Sequence, residues 1–120
     1  MNKINYILKD LILESFNGKR ISILSPVIRS RKGHYRELFE QIAKQGFVKV
    51  RTDGVIVDLS KGMKLDRYKM HDIEIVIDRL KIDTTSAATS RLSESINTAM
   101  YHGENVLMVI EEDSKEVRYF

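Results

Sequence analysis

"GFVKVRTDGVIVDL", residues 46–59, decides how the rest of the chain is read. Phe47, Lys49 and Arg51 fall on one side of an extended segment, and Val48 and Val50 on the other. That period of two belongs to a half-exposed β-strand. Asp53-Gly54 follows, and Asp-Gly readily supplies the positive φ of a two-residue turn, so "VIVDL" is predicted to return against "FVKVR" as a hairpin.

Working outward, Ile7, Leu8, Leu11, Ile12 and Phe16 repeat at helical spacing over 4–16, and Asn17-Gly18 ends that helix. "RISILSPVI" (20–28) reads as a strand buried on both faces, with Pro26, the only proline, placing its end or edge nearby. "RSRKG" (29–33) is expected to be a basic loop. Residues 34–45 form a second helix with Tyr35, Leu38, Phe39 and Ile42 on one face and Gly46 as its stop. Residues 60–70 have no clean period and read as a polar connection.

"DIEIVIDRLKI" (72–82) alternates again, with a parity change near Arg79 that predicts a bulge or a strand end. "DTTS" (83–86) offers N-caps for a third helix that turns Leu92, Ile96, Ala99 and Met100 inward and ends at His102-Gly103. "NVLMVI" (105–110) is a buried strand, and "EEDSKEVRYF" (111–120) can close as a short hairpin. The expected fold is α+β: one domain over 1–120, a two-layer α/β sandwich whose mixed sheet of about five strands carries two or three helices on one face.

With 120 residues, 42% hydrophobic and 31% charged, the chain can bury a core without disulfides or a structural metal. The absence of Cys removes disulfides, thiol catalysis, iron–sulfur clusters and Cys-ligated zinc. Lys3, Lys9, Asp10 and Glu14 interrupt the apolar positions near the start, so neither a signal peptide nor a spanning segment is expected there. The expectation is a cytoplasmic, monomeric chain with no membrane partner. Twenty Lys and Arg against 17 Asp and Glu leave +3, too balanced to argue nucleic-acid binding from composition.

Catalysis finds little purchase. No G-x-x-x-x-G-K-[ST], G-x-G-x-x-G or G-x-S-x-G occurs, so no cofactor or catalytic residue is assigned. His34, His71 and His102 lack the spacing of paired metal ligands and read as surface or capping residues. Two basic groups remain. Arg29, Arg31, Lys32 and Arg36 surround Gly33 before a helix, suiting either a phosphate contact or a solvated loop. Lys49 and Arg51 share a strand face, and Arg79 would join them in one patch if its strand is their neighbour. Without aromatic rings to stack bases, such a face fits an acidic protein better than a single-stranded nucleic acid. The alternative is a solvated face with local pairs to Asp53, Asp78 or Glu74.

"LSPVIRSRKGHYRELFEQIAKQGFVKVRTDG", "LDRYKMHDIEIVIDRL" and "SRLSESINTAM" together resemble, in order and spacing over 20–112, the UvrB-binding domain of the UvrA family, the damage-recognition ATPases of bacterial nucleotide excision repair. The resemblance implies a domain that docks UvrB, with residues 1–18 leading from a zinc module that this chain lacks. It further implies ATP, zinc and DNA as ligands of the parent protein and none in this fragment. An alternative within it is a basic module touching the duplex DNA backbone through Arg29, Arg31, Lys32 and Arg36. The partner-binding arginines of the family fall on Lys49 and Arg79, with Arg51 and Asp53 beside them. Lys49 departs from the pattern by exchanging a planar fork for a point charge.

Overall fold

The computed structural model describes residues 2–120 and places three helices and six strands along the chain: α1 Lys3–Phe16, β1 Arg20–Lys32, α2 Arg36–Lys44, β2 Lys49–Thr52, β3 Val55–Asp58, β4 Met70–Lys81, α3 Ser86–His102, β5 Met108–Glu111 and β6 Val117–Tyr119. The α+β class and the helices packed on a sheet are as expected. The sheet itself differs: it has six strands in the order β3-β2-β4-β1-β5-β6, and the β1–β5, β2–β3, β2–β4 and β5–β6 pairs are antiparallel, so it is not mixed. No described helix is long and apolar enough to cross a membrane. Contacts group the chain into two compact units, and both β1 and β4 contribute residues to each.

One unit comprises residues up to Ser25 together with Ile77–Phe120. Its core combines Ile12 and Phe16 of α1, Ile21 and Ile23 of β1, Leu80 at the end of β4, Ile82, Leu92, Ile96, Ala99 and Met100 of α3, and Leu107 and Val109 at β5. Burying each such aliphatic side chain stabilises by roughly 1.5–3 kcal/mol before chain entropy is charged against it. The N-cap read in "DTTS" is Thr85, which accepts the Ala88 N–H at the start of α3; α1 has a cap that sequence reasoning did not name, Asn2, which accepts the Asn5 N–H. Asn5 then donates to Asn97 at 2.7 Å, joining α1 to α3.

The other unit is Pro26–Val76. Phe39 and Ile42 of α2 are buried, as are Val50, Ile73 and Ile75 of the strands. Asp53 (φ 49°) and Gly54 (φ 86°) form the predicted turn, with Lys49↔Asp58, Val50↔Val57, Arg51↔Ile56 and Thr52↔Val55 in register. The strand begins at Lys49, later than expected, and Val48 is 69% exposed instead of facing inward with Val50.

"RSRKG" is a further correction, because β1 runs through Pro26 to Lys32 and Arg29, Arg31 and Lys32 are strand residues. The physical reason lies in which side the proline addresses. The Arg20 carbonyl accepts the Glu112 N–H, so even-numbered residues of β1 turn their backbone groups toward β5. Pairing with β5 stops at Leu24↔Met108, and the N–H that Pro26 lacks falls past that point. Pro26 therefore ends one pairing and leaves the strand intact. Near Arg79 the burial parity does shift, from His71, Ile73 and Ile75 to Leu80 and Ile82, while β4 continues to Lys81.

Candidate functional site

The β2–β3 hairpin carries three of the predicted residues. Arg51 lies between Ile56 and Glu74 in one row across β3, β2 and β4. Its Nη1 donates to Glu74 Oε1 at 2.7 Å; the Glu74 side chain is only 6% exposed and that of Arg51 21%. Burial pushes the Glu74 carboxyl above its ordinary pKa, and the Arg51 guanidinium offsets this only in part. Arg51 is thus fixed at one end by a carboxylate that needs it, with further N–H donors left over.

Lys49 meets Asp58 at 2.5 Å, directly across the strand pair, in a more exposed setting. An exposed pair of this kind contributes about 0–1 kcal/mol and exchanges readily for another carboxylate. Asp53 plays a different part. Its Oδ1 accepts the Asp72 N–H at 2.8 Å, and its Oδ2 stands 2.6 Å from Nδ1 of His71. Burial alone would raise Asp53, but the hydrogen bonds from His71 and Asp72 outweigh it and hold the carboxyl below its usual value.

His71 is not a surface or capping residue. It is buried, with Nε2 2.6 Å from the Asp66 carbonyl oxygen and Tyr35 edge-on to its ring. Acceptors on both sides require both ring nitrogens to donate, which only the imidazolium can do. The hydrogen bond to Asp53, then that to Asp66, raises its pKa accordingly. His34 does act as a cap, its Nδ1 accepting the Arg36 N–H, and His102 lies in the last turn of α3.

Arg29, Arg31 and Lys32 occupy the exposed end of β1, and Arg36 starts α2, where it pairs with Glu40 at 3.4 Å. The Tyr35 hydroxyl donates to the carbonyls of Arg31 and Lys32, folding its ring across Gly33. In the other unit Arg79 donates through Nε and Nη2 to a single oxygen of Glu112 and stays half exposed. Arg91 beside it grips both oxygens of Asp78, which Ser95 also reaches. Burial opposes ionisation of Asp78, yet these donors hold its carboxyl below the usual value.

Sequence reasoning named Glu74 as a local partner of the strand cations but placed it in solvent, since alternation puts it outside, and it missed His71, because a lone histidine carries no period. The β2–β4 register is what sets Glu74 directly opposite Arg51, whereas the hairpin register sets Ile56 there.

The model of the UvrA interaction domain matches residues 3–113. Among curated proteins, UvrABC system protein A of Methanothermobacter thermautotrophicus is 43% identical over 83% of this chain and 10% of its own length. That of Thermus thermophilus is 37% identical over 92% of this chain and 12% of its own, and that of Bacillus subtilis 42% identical over 83% and 10%. The chain therefore spans about a tenth of the length of these relatives.

Proposed function

The chain belongs to the UvrA interaction domain family, and from that premise we propose that it is a protein-docking module of nucleotide excision repair whose partner is UvrB. It performs no chemistry of its own in this reading; ATP, zinc and duplex DNA belong to other parts of a longer protein. The observation that carries the reading is the state of the hairpin cations: Arg51 is held by buried Glu74, and Lys49 by exposed Asp58. An acidic surface would find Arg51 already oriented, so little side-chain entropy is lost on contact. Lys49 would exchange Asp58 for a partner carboxylate, as would Arg79 its single Glu112 oxygen. Charge placed this way sets encounter rate and register more than raw affinity.

Titration calorimetry of the chain with UvrB from the same organism tests this, using Arg51→Glu and Arg79→Glu as charge reversals. A saturable isotherm weakened at least tenfold by either reversal is expected. Unchanged affinity in both would remove these residues from the interface. The second reading, phosphate contact through Arg29, Arg31, Lys32 and Arg36, rests on the exposure of the β1 end, and a parallel duplex DNA titration measures it.

A further inference from the structure

Residues 60–69 carry Lys61, Lys64, Arg67 and Lys69 against one acid, Asp66. Their net charge of +3 equals that of the whole chain, so the other 110 residues balance 16 cations with 16 anions. All four cations are exposed, and none takes part in any of the ion pairs described above. Between Arg67 and Lys69 stands Tyr68, 78% exposed, a large ring with no burial to explain it.

The segment is nonetheless anchored. Leu59 N–H donates to the Val48 carbonyl and Leu65 N–H to that of His34, while the Asp66 carbonyl accepts from buried His71. The Asp66 carboxylate is turned back on the Tyr68 N–H at 2.9 Å, away from a bridging role with the cations. A loop held at three points with its cations unneutralised retains the charge repulsion that a folded protein ordinarily relieves. That repulsion is relieved by a polyanion.

We infer that this loop is a binding site for single-stranded nucleic acid, its four cations spanning phosphates and Tyr68 stacking on an unpaired base. The ring favours this ligand: a flat unpaired base stacks on an exposed tyrosine flanked by Arg67 and Lys69, a contact that carboxylates alone do not supply. Preanchoring lowers the ordering cost on binding. The site is distinct from the β2–β3 cations proposed to meet UvrB and holds whether or not that reading does.

The test is fluorescence anisotropy of the chain with labelled twelve-nucleotide oligothymidylate, across a salt series, with a duplex of matched length and polyglutamate as competitors. Saturable binding is expected, with log K falling against log salt at a slope of about −3 for four phosphate contacts on a single strand. Tyr68→Ala should weaken it at least about fivefold, as loss of one stacked base does. Lys64→Ala should leave the ring's contribution intact and shallow the slope by about 0.7. Both residues are exposed, so the variants keep the fold, which the His71 ring-proton signals report. Absence of saturable binding at low salt, or binding indifferent to Tyr68→Ala, would overturn the assignment. Equal competition by polyglutamate would overturn it in favour of an acidic protein segment, and preference for the duplex would remove the stacking role.

Discussion

Arg51 and Glu74 show what a single buried ion pair demands. Arg51→Ala leaves the Glu74 carboxyl buried without its donor, and removing one partner of such a pair typically costs about 3–5 kcal/mol. Glu74→Gln removes the charge together with its desolvation penalty, so its cost should be clearly smaller, and Lys49→Ala at the exposed pair should cost at most about 1 kcal/mol. Urea unfolding at neutral pH of the three variants checks the ranking. The pH dependence of Arg51→Ala adds a sign. Its orphaned carboxyl, already raised by burial in the intact protein, binds a proton more tightly folded than unfolded, so this variant regains stability as pH falls.

At the scale of elements, the hairpin turn and the loop that follows it are joined through His71. Its folded pKa lies above the ordinary 6.5, so its contribution is complete below that value and is lost as pH rises through the folded one. Asp53 runs the other way: its folded pKa lies below 3.8, so its share is present above that value and lost on acidification. The clamp is therefore complete between 3.8 and 6.5. Amide exchange at Leu65 and Tyr68, corrected for intrinsic rates, should accelerate as pH is raised through the His71 transition. His71→Gln should show fast exchange throughout; slow exchange in that variant would assign the anchoring to the Leu65–His34 bond alone. In the other unit, α3 ends at Gly103 for want of space. A Cβ there would meet the Val106 carbonyl oxygen at 2.1 Å, so Gly103→Ala should lower stability by about 1–3 kcal/mol, read by thermal unfolding.

For the whole molecule, elements were legible wherever a period was strong. The stripe Leu92, Ile96, Ala99 and Met100 and the Asp53-Gly54 turn follow from local rules alone, whereas the closing hairpin, expected within 111–120, pairs β5 from the preceding buried strand with β6. What local rules could not reach was partnership across the sheet. Pro26 halts a strand only if its missing N–H is needed, and that depends on where β5 begins. Glu74 looks exposed by alternation until Arg51 is set beside it, and His71 looks incidental until Asp53 and Asp66 are found on its two sides. The candidate cations were visible as residue types and Glu74 as a possible local partner; the pairing with Asp58 and Glu112 was not. The same cross-strand geometry bears on the proposed function, since it separates an arginine held by a buried carboxylate from a lysine that would exchange an exposed one.

That distinction rests on UvrB being the partner, and one measurement reaches it directly: calorimetric titration of the chain with UvrB, wild type beside Arg51→Glu and Arg79→Glu, with duplex DNA titrated in parallel. The account predicts saturable UvrB binding, on the order of micromolar for a mostly polar interface, lost on charge reversal in variants whose fold is intact. Tight duplex binding with no UvrB isotherm would contradict it.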